Sequence, residues 1–132
     1  MRTRNAFLLG GLFFAAAAVA LIGSATASEF DLGLTTPDTE WPLGSDANLQ
    51  VTVDPVLIGG YGKLYRKIDG NTDFVKEFDF TSASFSMTAP IPTDPACADK
   101  MCTFWYGAFE VGGAPVGRSG KIRRPIPPIE IE

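Results

Sequence analysis

The sequence predicts an all-β fold: an antiparallel sandwich of about seven short strands, preceded by an N-terminal signal helix. Three observations carry this expectation. Beyond residue 27, apolar and polar side chains alternate in short runs, which is the period of a half-buried strand. The chain holds 10 prolines and 14 glycines, and in its later part these break it before a helical period can establish itself. The first 27 residues, by contrast, run basic, then apolar, then small.

The opening MRTRN carries Arg2 and Arg4 as its only early charges. An apolar run follows from Ala6 to Gly23, and SATAS then supplies the small residues Ala25 and Ala27. That is the order of a secretory signal peptide ending in an A-x-A site, so residues 1–27 are assigned to the signal and the mature chain begins Ser28-Glu29-Phe30. The alternative is a retained membrane anchor, since an apolar run of about 18 residues approaches the length of a span. The protein is accordingly expected to be exported, to the periplasm or the extracellular space.

The strands follow in residues 28–124. Phe30, Leu32 and Leu34 alternate with Glu29, Asp31 and Gly33, and Ala47, Leu49, Val51 and Val53 with Asn48, Gln50 and Thr52. Lys63 to Ile68 reads as a strand closing in Asp69-Gly70-Asn71, because an Asp-Gly pair between apolar runs is a strong hairpin signal. Phe74 to Phe80 is the return strand, with Phe78 and Phe80 inward. Phe85, Met87 and Ala89 then alternate with Ser84, Ser86 and Thr88. Thr103 to Val111 is apolar on both faces, and Gly112-Gly113-Ala114-Pro115 turns the chain into a last strand, Val116 to Arg124. Residues 125–132 are left as a proline-rich tail.

In the order LQVTVDP, GKLYRKIDGNTDFVKEF, ASFSMTAPIP, TFWYGAFEVGGAPVGRSG, the chain resembles a bacterial immunoglobulin-like or fibronectin-III-like domain over roughly residues 45–124. The resemblance rests on a tyrosine-bearing strand closing in Asp-Gly. It rests also on a late strand with Phe104, Tyr106 and Ala108 before a glycine turn. It implies a fold and no activity, since unrelated functions share this sandwich. It also implies that Phe104, Tyr106 and Ala108 face the core. Trp105 and Phe109 would then face outward, with Tyr65, Lys63 and Lys67 on the same sheet face. Such an aromatic strip flanked by lysines is an expected interaction surface. The opposite orientation, or a terminal segment covering the strip, is the alternative.

Cys97 and Cys102 are the only cysteines, and in an exported chain they are expected to pair. So short a loop contributes about 2 kcal/mol. A free pair or a redox role is the alternative. The pair is too close in sequence to be the inter-sheet bridge of antibody domains.

Composition excludes more than it identifies. There is no histidine, which removes the commonest catalytic base and metal ligand. Gly112 to Ser119 imitates a phosphate-binding loop with Arg118 in place of lysine, but Gly120, Pro125, Pro127 and Pro128 leave no helix to follow it. Asp69 to Asp73 has the alternation of a calcium loop, yet Phe74 and Phe80 stand where its glycine and closing glutamate belong. A turn is the better reading there, with weak calcium binding as the alternative. Without Arg2 and Arg4, nine of the 11 basic residues remain against 15 acidic ones, a mature net charge of −6 that disfavours nucleic acid and anionic lipid as partners.

The expectation is therefore a non-catalytic binding or accessory module, with no metal or cofactor, acting on a protein or surface glycan. The second reading is an assembly subunit, in which Phe30, Leu32 and Leu34 of EFDLGL, or the tail IPPIEIE, add a strand to a neighbouring copy or partner. That reading also admits a homo-oligomer, or a membrane complex held by a retained N-terminal helix.

Overall fold

The structure, a computed structural model, describes residues 29–130. The signal segment assigned to residues 1–27 lies outside the described residues. Eight strands form: β1 (Asp31–Thr35), β2 (Asp46–Asp54), β3 (Tyr61–Ile68), β4 (Asn71–Asp79), β5 (Ser84–Pro90), β6 (Met101–Phe109), β7 (Pro115–Arg118) and β8 (Ile122–Pro125). One sheet has the order β1-β2-β5 and the other β4-β3-β6-β7, with β8 also paired to β6. Every pairing is antiparallel. Among the described residues there is no α-helix, only a 3-10 turn at Pro95–Cys97.

The alternation read from the sequence becomes the inner faces of the two sheets. Ala47, Leu49, Val51 and Val53 of β2 are buried, and they share one core with Leu64, Ile68, Phe104, Tyr106 and Ala108 of the other sheet. Burial of each large aliphatic or aromatic side chain contributes about 1.5–3 kcal/mol. Residues between strands close the core: Trp41, Leu57, Phe80, Ile91 and Ile126 are all buried. Trp41 meets the ring of Phe104 edge-on at 5.1 Å. Phe80 is buried and Phe78 half-buried, both turned inward as expected. The Phe78 ring lies directly over Gly62, where any β-carbon would collide with it.

The Asp69-Gly70 hairpin forms as predicted. Both residues have positive φ, 50° and 83°, and Ile68 pairs with Asn71 around them. That double left-handed geometry matches the twist of the flanking strands, and glycine and aspartate tolerate it best. Asp69 makes an ion pair with Lys100 at 3.7 Å and Asp73 one with Arg66 at 3.6 Å. Among the described residues no group of three or more histidine, cysteine or acidic side chains is placed to hold a metal ion.

Two expectations require correction. The single last strand, Val116 to Arg124, is two strands. At Ser119 the chain still donates its N–H to the Tyr106 carbonyl (2.9 Å), but the Tyr106 N–H is accepted by the Ser119 hydroxyl (3.0 Å) instead of a main-chain carbonyl. The ladder is interrupted there, giving the eighth strand. The tail starts later than residue 125, because Ile126 is fully buried and exchanges main-chain hydrogen bonds with Lys100 and Asp99 at 2.8 Å. The segment carrying Phe30, Leu32 and Leu34, offered above as a strand for a partner, supplies an edge strand of the smaller sheet. Strand β1 pairs with β2 along its length, Leu34 is buried, and Phe30 and Leu32 pack against the core.

Candidate functional site

The outer face of the five-stranded sheet follows from strand register. Alternation turns Leu64 and Ile68 of β3 inward, so Tyr61, Lys63, Tyr65 and Lys67 point out. On β6 the inward set is Phe104, Tyr106 and Ala108, the three the sequence resemblance implied, together with Cys102. The outward set is then Met101, Thr103, Trp105, Gly107 and Phe109. Pairing sets Tyr65 opposite Trp105, Lys63 opposite Gly107, Tyr61 opposite Phe109, and Lys67 opposite Thr103.

The aromatic rings meet as this register requires. Tyr65 stacks on Trp105 with centroids 5.8 Å apart and planes 23° apart, and Phe74 meets Tyr65 edge-on at 5.9 Å. Tyr61 stacks on Phe109 at 5.2 Å and 15°. Cations lie over both clusters: Lys121 Nζ is 4.9 Å from the Trp105 centroid, and Lys63 Nζ is 5.2 Å from that of Phe109. Ammonium groups in such positions are attracted by the ring quadrupole.

Between the two clusters lies a groove of about 530 Å³, with Trp105 and Phe109 as walls, Pro115, Gly117 and Arg118 along the β7 side, and a floor at Gly107. The depression exists because Gly107, on the outward face of β6, carries no side chain, and a β-carbon there would lie against the Phe109 ring. Its lining is mainly apolar. Four of the five expected surface residues, Trp105, Phe109, Tyr65 and Lys63, therefore stand together. Lys67 lies further toward the Asp-Gly turn, in a more polar cleft shared with Met101, Thr103, Lys121 and Arg123.

Charge is segregated between the sheets. Strands β1, β2 and β5 contain no lysine or arginine. Their outer face is one of hydroxyls and amides, with Gln50 bonded to Ser84 at 2.6 Å and to Ser86 at 2.8 Å. On the opposite sheet Lys63, Lys67, Arg118, Lys121 and Arg123 make no ion pair among the described residues. Glu77 and Asp79 share that face, but on the far strand β4, opposite Lys63 and Tyr61. The acidic whole-chain balance thus conceals a basic, aromatic face.

Tyr61, Phe74, Gly107, Arg118, Lys121 and Arg123 also belong to this face and were not among the residues expected there. The period-two series Tyr61, Lys63, Tyr65, Lys67 was a visible signal for the first of these. The cations of β7 and β8 carried none, because the break at Ser119 shifts their alternation.

Cys97 and Cys102, expected as a disulfide, are free thiols in the structure. Alternation on β6 points Cys102 into the core, whereas Cys97 sits half-buried in the 3-10 turn capped by Asp94. Burial pushes the Cys102 thiol up to about 12, opposed by the Arg66 guanidinium and reinforced by neighbouring Cys97. The start of β6 is fixed instead by the Asp99–Ile126 and Ile126–Lys100 hydrogen bonds. No protein-family model matches the chain, and no match to it is found among curated proteins.

Proposed function

We propose that this chain is an exported, non-catalytic binding module with an immunoglobulin-like or fibronectin-III-like sandwich, acting through the outer face of its five-stranded sheet. The single observation that carries this reading is the groove between Trp105 and Phe109, mainly apolar in its lining and bordered by cations that make no ion pair among the described residues. Large side chains such as tryptophan, tyrosine and arginine, grouped around a depression, are the composition of binding hot spots. The sheet orders β1-β2-β5 and β4-β3-β6-β7 favour the family-like sandwich. The assembly reading through β1 has less support, since β1 spends its apolar side chains on its own core.

Accessibility of Trp105 tests this directly. Trp41 is 1% exposed and should be silent to acrylamide, so quenching of the native protein reports Trp105. Ready quenching is expected, with loss of the quenchable component in Trp105→Phe. A Trp105 shielded in the isolated monomer would sink the reading.

A further inference from the structure

We infer that the groove takes an acidic peptide segment of a partner protein, an apolar side chain entering between Trp105 and Phe109 and flanking carboxylates pairing with Arg118, Lys121 and Lys63. This rests on the binding-face reading above and names its occupant.

Two features choose the class. First, each ring already has a stacked partner and a cation. Trp105 is approached by Tyr65 from β3 and by Lys121 from the β7–β8 side of β6, and Phe109 by Tyr61 and Lys63. A ligand that binds by laying a flat face on a ring, as sugars do, would compete with those partners. What the rings leave open is the slot over Gly107, whose space suits a leucine, phenylalanine or tyrosine side chain. Second, the slot's rim is cationic on a chain whose net charge is −4 at pH 7. Arg118 is paired in register with Gly107, so its guanidinium is carried at the slot itself. A guanidinium there can take a carboxylate through two parallel N–H bonds, while the lysines act as point charges that also steer encounter.

The test uses the mature protein and three polymers: a random copolymer of glutamate and tyrosine, polyglutamate, and alginate. Binding is read from Trp105 fluorescence and from the anisotropy of labelled polymer. The copolymer should bind more tightly than polyglutamate at equal charge, and weaken as salt is raised. Arg118→Gln with Lys121→Gln should weaken it about tenfold or more. Gly107→Val, which fills the slot with a strand-compatible side chain, should abolish it, with unchanged melting showing that the fold persists.

Alginate binding through Trp105 in preference to the copolymer would overturn the peptide assignment while leaving the binding face intact. A concentration-dependent dimer that shields Trp105 and disappears in Gly107→Val would make a second copy the occupant, and would also overturn it. If no polymer binds and Trp105 resists acrylamide, the binding face and its occupant both fail.

Discussion

The hydroxyl of Tyr106 reaches across the core and donates to the main-chain carbonyl of Gly33, 3.2 Å away, with the carbonyl of Thr52 at 3.1 Å as a second acceptor. A residue at the centre of the five-stranded sheet is thereby clasped to β1 and β2 of the other. A buried phenol needs such a partner, and this one sets how the two sheets sit against each other.

Tyr106→Phe removes the donor and keeps the ring, which stays against Phe78 and Phe80. The expected loss is about 1–2 kcal/mol, since two partly buried carbonyls lose their side-chain donor. Urea unfolding should show a lower midpoint with an unchanged slope. Wild-type stability in the variant would mean that the clasp contributes nothing.

Alkaline pH should destabilise the protein through the same region. Burial raises the Tyr106 phenol and holds the Cys102 thiol near 12, against an ordinary value of 9.0 for a thiol. The unfolded chain releases these protons first, so between the two values the folded state binds more protons and stability falls as pH rises. Stability contributed by the neutral Cys102 thiol is complete below pH about 9 and declines above it. Denaturant midpoints across this range should drop, and Cys102→Ala should flatten the first part of the drop. A pH-independent midpoint would refute the argument.

Thiol labelling separates the two cysteines. Cys97 is half-buried and Cys102 fully buried. Iodoacetamide should therefore modify Cys97 in the native protein and Cys102 only after unfolding, because the thiolate is the nucleophile and burial suppresses it. Protection of both thiols even in denaturant, relieved by a reductant, would show a disulfide instead.

Much of the fold was legible because strand alternation is a local property. Ala47 to Val53 and Ser84 to Ala89 declare their faces within their own residues, and Asp69-Gly70 declares its turn. The break at Ser119 was not, because it depends on a side-chain hydroxyl replacing a main-chain acceptor for Tyr106, 13 residues away. Ile126 was hidden among prolines, and its burial comes from pairing with Lys100. For the binding face, the sequence showed Trp105 and Tyr65 as candidates but not their partners. Lys121 and Arg118 join Trp105 and Gly107 only through the pairing of β7 and β8 with β6, and net charge averages over two sheets that differ in sign.

Asp38 should prove to be a second clasp. Its carboxylate accepts from the Trp41 indole N–H at 2.9 Å and from the Asn48 main-chain N–H at 2.8 Å, and its own carbonyl accepts from Arg124 Nε at 2.7 Å. The Asn48 N–H is the main reason its carboxyl sits below the ordinary value of 3.8, with further hydrogen bonds from the Asn48 side-chain amide and the Trp41 indole. Asp38→Ala leaves the buried indole donor unpaired and should cost about 1–3 kcal/mol. Because the folded value is depressed, this stabilisation is present at neutral pH and is lost as pH falls below about 4. The variant should lose its disadvantage in acid. An equal deficit at low pH would assign the effect to packing.

Phe104 and Trp105 are neighbours in sequence and opposites in role, and this pair gives the sharpest test of the face assignment. Phe104 is fully buried, holds Trp41 edge-on at 5.1 Å, and has no room to be replaced by solvent. Phe104→Ala removes most of that ring's burial and leaves a cavity among Trp41 and its neighbours, so a loss of about 3–5 kcal/mol is expected. That is a large share of the 5–15 kcal/mol typical of a native domain. Trp105 lies on the outer surface, touching Tyr65 and Lys121. Trp105→Ala forfeits one stacked pair and one cation–π contact, each worth about 0.5–1.5 kcal/mol, and opens no cavity. Thermal melts should therefore place the Trp105 variant moderately below wild type and the Phe104 variant well below both. A reversal of that order would put Trp105 in the core and remove the aromatic groove as a surface. If the order holds while binding at the groove is lost only in Trp105→Ala, the division of labour along β6 is direct: alternate residues hold the domain together, and those between them meet whatever it binds.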